Sequence, residues 1–116
     1  MNDDIDLDTI AQLKELLDDK FPTIVETFTV NGAKYIAAIQ EGLGSGDAQK
    51  IVDAAHPLKS SSGNLGAAAL SQLCAGIETQ GKEIAVNGGD VSVLSDLIAL
   101  AAKKFEASKV FLEGQF

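Results

Sequence analysis

Asp47-Ala48-Gln49-Lys50-Ile51-Val52-Asp53-Ala54-Ala55-His56-Pro57-Leu58-Lys59-Ser60-Ser61-Ser62-Gly63-Asn64-Leu65 reads as a helix with polar chemistry on its outer side. Ala48, Ile51, Val52, Ala55, Leu58 and Leu65 recur at helical spacing, without the two-residue alternation of a strand. Asp47 supplies an acceptor suited to an N-cap. Ile51, Ala55, Leu58 and Leu65 define an inward stripe, while Val52, His56, Lys59, Ser60 and Gly63 share a neighbouring face. A lysine one turn from the histidine argues that this face meets water, so the imidazole is reachable by another macromolecule.

The same period runs outward in both directions. Leu7, Ile10, Leu13, Leu16 and Leu17 outline a short first helix behind aspartates suited to an N-terminus. Phe21 and Pro22 open a second, in which Ile24, Val25, Phe28, Tyr35, Ile36, Ile39 and Leu43 keep three- and four-residue steps. Asn31-Gly32 is also a hairpin-turn dipeptide, but its flanks do not alternate and the helix is kept, with a weak point there. Gly42-Leu43-Gly44-Ser45-Gly46 ends it. Beyond a break near Gly63-Asn64-Leu65-Gly66, a fourth helix carries Leu70, Leu73, Cys74, Ile77 and Ile84. Asn87-Gly88-Gly89 is a turn, and from Asp90 a last helix runs through Val91, Leu94, Leu97, Ile98, Ala101 and Phe105 towards Leu112. Amphipathic helices of this length need tertiary packing to be stable. Packed through short loops, the four longer ones predict an all-α, antiparallel up-and-down four-helix bundle, with the short N-terminal helix covering one end. Residues 1–116 form a single domain, without an internal repeat or low-complexity stretch.

Composition agrees and narrows the function. Trp is absent and aromatics are 5% of the chain, which favours helices over sheets. Nine Lys and Arg against seventeen Asp and Glu give a net charge of −8, which repels nucleic-acid backbones. Met1-Asn2-Asp3-Asp4-Ile5-Asp6 is acidic where a signal peptide needs basic residues, and no apolar run approaches the about 20 residues that span a bilayer. A cytoplasmic protein acting as a monomer is expected, with no nucleic-acid or membrane partner. Met1 and the acidic lead-in point to a stand-alone protein. Cys74, the single cysteine, cannot form an internal disulfide and reads as a small buried hydrophobe.

His56 is the only histidine. A lone helical histidine is more often an ordinary residue than a functional one, and its neighbourhood is what singles it out. A neutral imidazole is a nucleophile that can accept a phosphoryl group. Lys59 can offset the charge of the product. Ser60, Ser61, Ser62 and Gly63 keep the adjacent surface small, so that a partner's site can approach. Each also has a plain reading, a solvated lysine and a fraying helix end.

The run from Ala55-His56-Pro57-Leu58-Lys59 through Ser60-Ser61-Ser62-Gly63 to Leu65-Gly66-Ala67, with Leu70, Leu73-Cys74 and Ile77-Glu78 behind it, resembles the signature of histidine-containing phosphotransfer (HPt) domains. The family opens on a histidine, a leucine and a lysine, continues with small residues and ends in a Leu-Gly pair. The likeness implies that His56 is the phosphoacceptor and Lys59 the lysine that holds or balances the phosphoryl group. It places Ser60 where the family usually has glycine, Gly63 at another small-residue position near the imidazole, and Glu78 where the facing helix turns a polar side chain towards the histidine. An exposed helical glutamate is the plain alternative for Glu78. Pro57 removes an amide and disfavours helical geometry at His56, so a kink or widened turn is expected there.

The resemblance further implies reversible transfer between phosphoaspartate receiver domains, from a hybrid histidine kinase to response regulators. The protein needs no cofactor of its own, and Mg²⁺ comes with the receiver domain. The chain has no Gly-x-x-x-x-Gly-Lys loop, which makes it a carrier and not a kinase. Docking should use exposed apolar side chains around His56, with Val52 as a candidate and help from the first two helices. Two rivals stand beside this reading. Asp53-x-x-His56 mimics half of a carboxylate–histidine metal site, although no second histidine exists to complete a dinuclear bundle. A helical adaptor without chemistry explains the fold but not the run from Lys59 to Gly66.

Overall fold

A computed structural model describes residues 4–116, and three of its seven helical segments start where an aspartate supplies an acceptor for the orphan amides of a first turn. Asp6 Oδ1 accepts from the Thr9 amide at 3.2 Å and heads α1 (Leu7–Leu17). A 3₁₀ turn at Asp18–Lys20 leads into α2 (Phe21–Ser45), with Pro22 in its first turn. Asp47 Oδ1 accepts from the Lys50 amide at 3.1 Å and caps α3 (Ala48–Asn64). Asp90 caps a second 3₁₀ turn, Val91–Leu94, which runs into α5 (Ser95–Glu113), so the last helix begins one tight turn later than its periodicity suggested.

Helices α2 and α5 start without a side-chain cap, and so does α4 (Ala68–Asn87), which Ala67 precedes. At α4, backbone from the N-terminal lead-in takes over that task. The Asp4 carbonyl accepts from the Ala69 amide at 3.1 Å, and the Asp6 amide donates to the Gly66 carbonyl at 2.7 Å. Gly66 allows this close crossing because it adopts φ +77°, and a Cβ there would lie 3.0 Å from the Asp6 carbonyl oxygen. With Ile5 and Ile10 buried, the lead-in and α1 close the bundle end that holds the α3–α4 turn. Met1, Asn2 and Asp3 of the acidic lead-in lie outside the described residues.

Helices α2 and α4 each pack against both α3 and α5, which closes the four long helices into a ring around one apolar core. Among the described residues there is no strand, and the structure is an all-α four-helix bundle with an additional short N-terminal helix. Helix α2 runs unbroken through Asn31-Gly32. Gly32 is there for space, because a Cβ would collide with the Phe105 ring of α5. No helix among the described residues is long and apolar enough to cross a membrane.

Candidate functional site

His56 and Lys59 lie three residues apart on α3, and Glu78 and Lys82 lie four apart on α4, so each pair shares one helix face. The two faces meet across the α3–α4 seam. His56 Nδ1 stands 2.7 Å from Glu78 Oε2, and Lys59 Nζ stands 2.5 Å from Oε1 of the same carboxylate. Lys82 Nζ is 3.4 Å from Oε2. The imidazole itself is open to solvent, its side chain 62% exposed.

Glu78 is the inverse case, only 4% exposed. A buried carboxylate is costly unless paired and hydrogen-bonded, and here three donors surround it. The Lys59 ammonium holds its carboxyl down to about 2; burial opposes this, while His56 and Lys82 reinforce it. The group is therefore ionised at neutral pH and can only accept hydrogen bonds. It follows that His56 Nδ1 carries a hydrogen and donates it. In the neutral ring the lone pair then sits on Nε2, the nitrogen turned away from Glu78.

Close helix approach makes this possible. Gly81 is buried on α4 with Val52 of α3 opposite, and a Cβ at position 81 would fall 2.8 Å from Val52 Cγ2. Val52 is thereby only 5% exposed, which corrects the expectation that it contributes to a docking surface. It lies one turn before His56, on the side of α3 that α4 covers. Ser71 of α4 adds a tie, its hydroxyl donating to the Lys59 carbonyl at 2.9 Å.

The serine run serves the backbone. Ser62 Oγ, fully buried, donates to the Leu58 carbonyl at 2.6 Å, and Ser61 Oγ donates to the same oxygen at 3.3 Å. Helix α3 stays continuous through Pro57, and these hydroxyls brace the turn that follows it. Ser60 is exposed one turn beyond His56, whose Nδ1 hydrogen bond goes to Glu78 instead. Gly63 is placed two turns beyond the histidine. A Cβ there would meet Ser71 Oγ at 3.1 Å and come within 4 Å of no imidazole atom, so its smallness serves the helix seam.

Glu78 is thus no exposed surface glutamate. Lys82 went unnoticed in the sequence, although its i, i+4 spacing from Glu78 is the signal that would have found it. Ser71 carried no such signal. Asp53 and His56 turn to different neighbours: Asp53 accepts from Gln49 Nε2 at 2.8 Å and lines a groove with Tyr35 and Ala38 of α2. Cys74 is buried, and burial together with the Glu78 charge pushes its thiol up to about 12, so it stays protonated and inert.

A family model described as "Hpt domain" matches residues 23–104, a span that holds His56, Lys59, Glu78 and Lys82. The crystal structure of histidine-containing phosphotransfer protein B from Pseudomonas aeruginosa PAO1 aligns with a TM-score of 0.87 at 23% identity. The alignment covers 99% of this chain and 96% of that one, a likeness in fold. No curated protein matches the chain significantly. With the family model spanning well over half of its length, the chain belongs to the Hpt domain family, the phosphotransfer proteins of phosphorelays.

Proposed function

We propose that His56 is the phosphoacceptor and that Nε2 is the atom that carries the phosphoryl group between receiver domains. The carrying observation is one exposed imidazole whose Nδ1–H is spoken for by a buried, ionised Glu78, leaving the Nε2 lone pair towards solvent. Fixing the tautomer and the ring plane in advance removes part of the entropic cost of reaching an in-line geometry. Lys59, held at the same carboxylate, supplies positive charge beside the incoming group.

The donor and acceptor are receiver domains, those of a hybrid histidine kinase and of response regulators, and each brings its phosphoaspartate or aspartate with Mg²⁺. Such transfer depends mainly on positioning and charge neutralisation, so a small bundle is sufficient as the carrier half. An apolar cleft opens where α1, α2 and α3 meet. Leu13 of α1, Ile24, Thr27 and Phe28 of α2, and Ser61 and Asn64 of α3 line it. Ser61 and Asn64 lie five and eight residues beyond His56, on the side of α3 towards α2, so a partner that covers the imidazole and reaches across to α2 can insert an apolar side chain there.

Incubation with a phosphorylated receiver domain tests this. Label should appear on the protein, survive alkali, be lost in acid and vanish in His56→Gln. Lys59→Ala should slow loading or shorten the life of the loaded form. Label retained by His56→Gln would defeat the proposal.

A further inference from the structure

Glu78 has two ammonium neighbours in unequal states. Lys59 is closed onto Oε1 at 2.5 Å, whereas Lys82 stands off from Oε2 at 3.4 Å on a side chain 63% exposed. With the imidazole neutral, one carboxylate faces two ammonium groups and the cluster holds one positive charge too many. Among the described residues, Glu78 is the only carboxylate at ion-pair distance from Lys82.

We propose that loading of His56 hands Lys59 from Glu78 to the phosphoryl group, and that Lys82 closes onto Glu78 in its place. This rests on the carrier reading above and adds how the site is rearranged by its own reaction. In the transfer step the Nε2 lone pair forms the N–P bond while the P–O bond to the donor aspartate breaks. The electron pair of that bond stays on the released carboxylate, and the proton on Nδ1 does not move. The ring gains one positive charge and the phosphoryl group brings two negative ones. The surplus cation of the resting cluster is what the loaded state consumes, leaving the cluster neutral.

The physical reasons for the exchange are local. A dianion with three acceptor oxygens competes well against one carboxylate oxygen for an ammonium group already beside it. Lysine suits such a move, as a compact charge on a flexible stem, and the Lys59 side chain is 33% exposed. Its departure would leave Oε1 of buried Glu78 without a donor, because the cationic ring is held at Oε2, a costly state unless Lys82 turns to it. Lys82 is one turn along α4 on the same face and needs only to close a gap. It is therefore a positioning residue, acting through Lys59 without touching the phosphoryl group.

The test is the lifetime of the alkali-stable label on wild type, Lys82→Met, Lys82→Arg and Lys59→Ala, and on Lys82→Met in the Lys59→Ala background. Circular dichroism would verify that each is folded. Lys82→Met should shorten the lifetime about three- to tenfold, the effect of one half-exposed charge-assisted contact. Lys82→Arg should restore it, and the effect of Lys82→Met should disappear once Lys59 is gone. A normal lifetime in Lys82→Met would overturn the hand-over, as would an equal loss with and without Lys59, which would mean direct contact. Absence of label on the wild type would remove the carrier reading and this inference with it, so the two failures are distinguishable.

Discussion

The contact between α2 and α5 and the seam between α3 and α4 hold the same bundle by different means. Between α2 and α5 the join is apolar: the Phe28 and Phe105 rings lie 5.6 Å apart at 55°, and Gly32 leaves the room that Phe105 fills. Between α3 and α4 polar groups recur, with Glu78 bridging His56 and Lys59, and the Ser71 hydroxyl on the Lys59 carbonyl. Apolar burial is non-directional and scales with area, so it drives association but only loosely fixes how a helix is rotated. Hydrogen bonds and close ion pairs depend on angle and distance, so they set rotation finely. Aiming an imidazole needs the second kind of join, and the bundle places it where the imidazole is.

If that division holds, damage to the two regions should read out differently. Phe105→Ala empties the apolar join and should cost about 3–5 kcal/mol in urea unfolding, while the fraction that remains folded still takes label on His56. Loss of labelling in that folded fraction would break the division.

The seam should show its character in acid. Glu78 has its folded carboxyl at about 2 against an ordinary 4.5, because Lys59 and, less strongly, His56 and Lys82 favour the anion. A depressed carboxyl stabilises the fold fully above its unfolded value and loses that contribution as pH falls from about 4.5 towards 2. Glu78→Gln should flatten the acid limb of stability in that window, an effect of about 1.5–3 kcal/mol, as hydrogen bonds to charged groups contribute. Urea midpoints of both proteins from pH 6 to 2.5 would measure it, and parallel curves would show that the carboxylate is not coupled to folding. The smallest effect should belong to neither region. Asp47→Ala removes the α3 cap and should lower stability by about 1 kcal/mol, leaving the loaded lifetime unchanged because the cap lies more than two turns from His56.

Much of the site was already legible in the chain. That His56 and Lys59 share a face follows from a spacing of three within one helix, and no tertiary knowledge is needed. Relations between helices were harder to read. Val52 looked like a neighbour of His56 on an open face, and which side of α3 is open depends on where α4 lies. The burial of Glu78 has the same origin, since it comes from packing against a residue 22 positions earlier.

The sequence by itself determined five helices, the aspartate caps of α1 and α3, the apolar stripes and the one histidine, because these depend on local periodicity and on groups within a turn of each other. Tertiary structure alone decided that Glu78 is buried, that it takes the proton side of His56, and that backbone of the N-terminal lead-in caps α4. The rotation of one helix against another is a sum over contacts distant in sequence, and no local pattern encodes that sum.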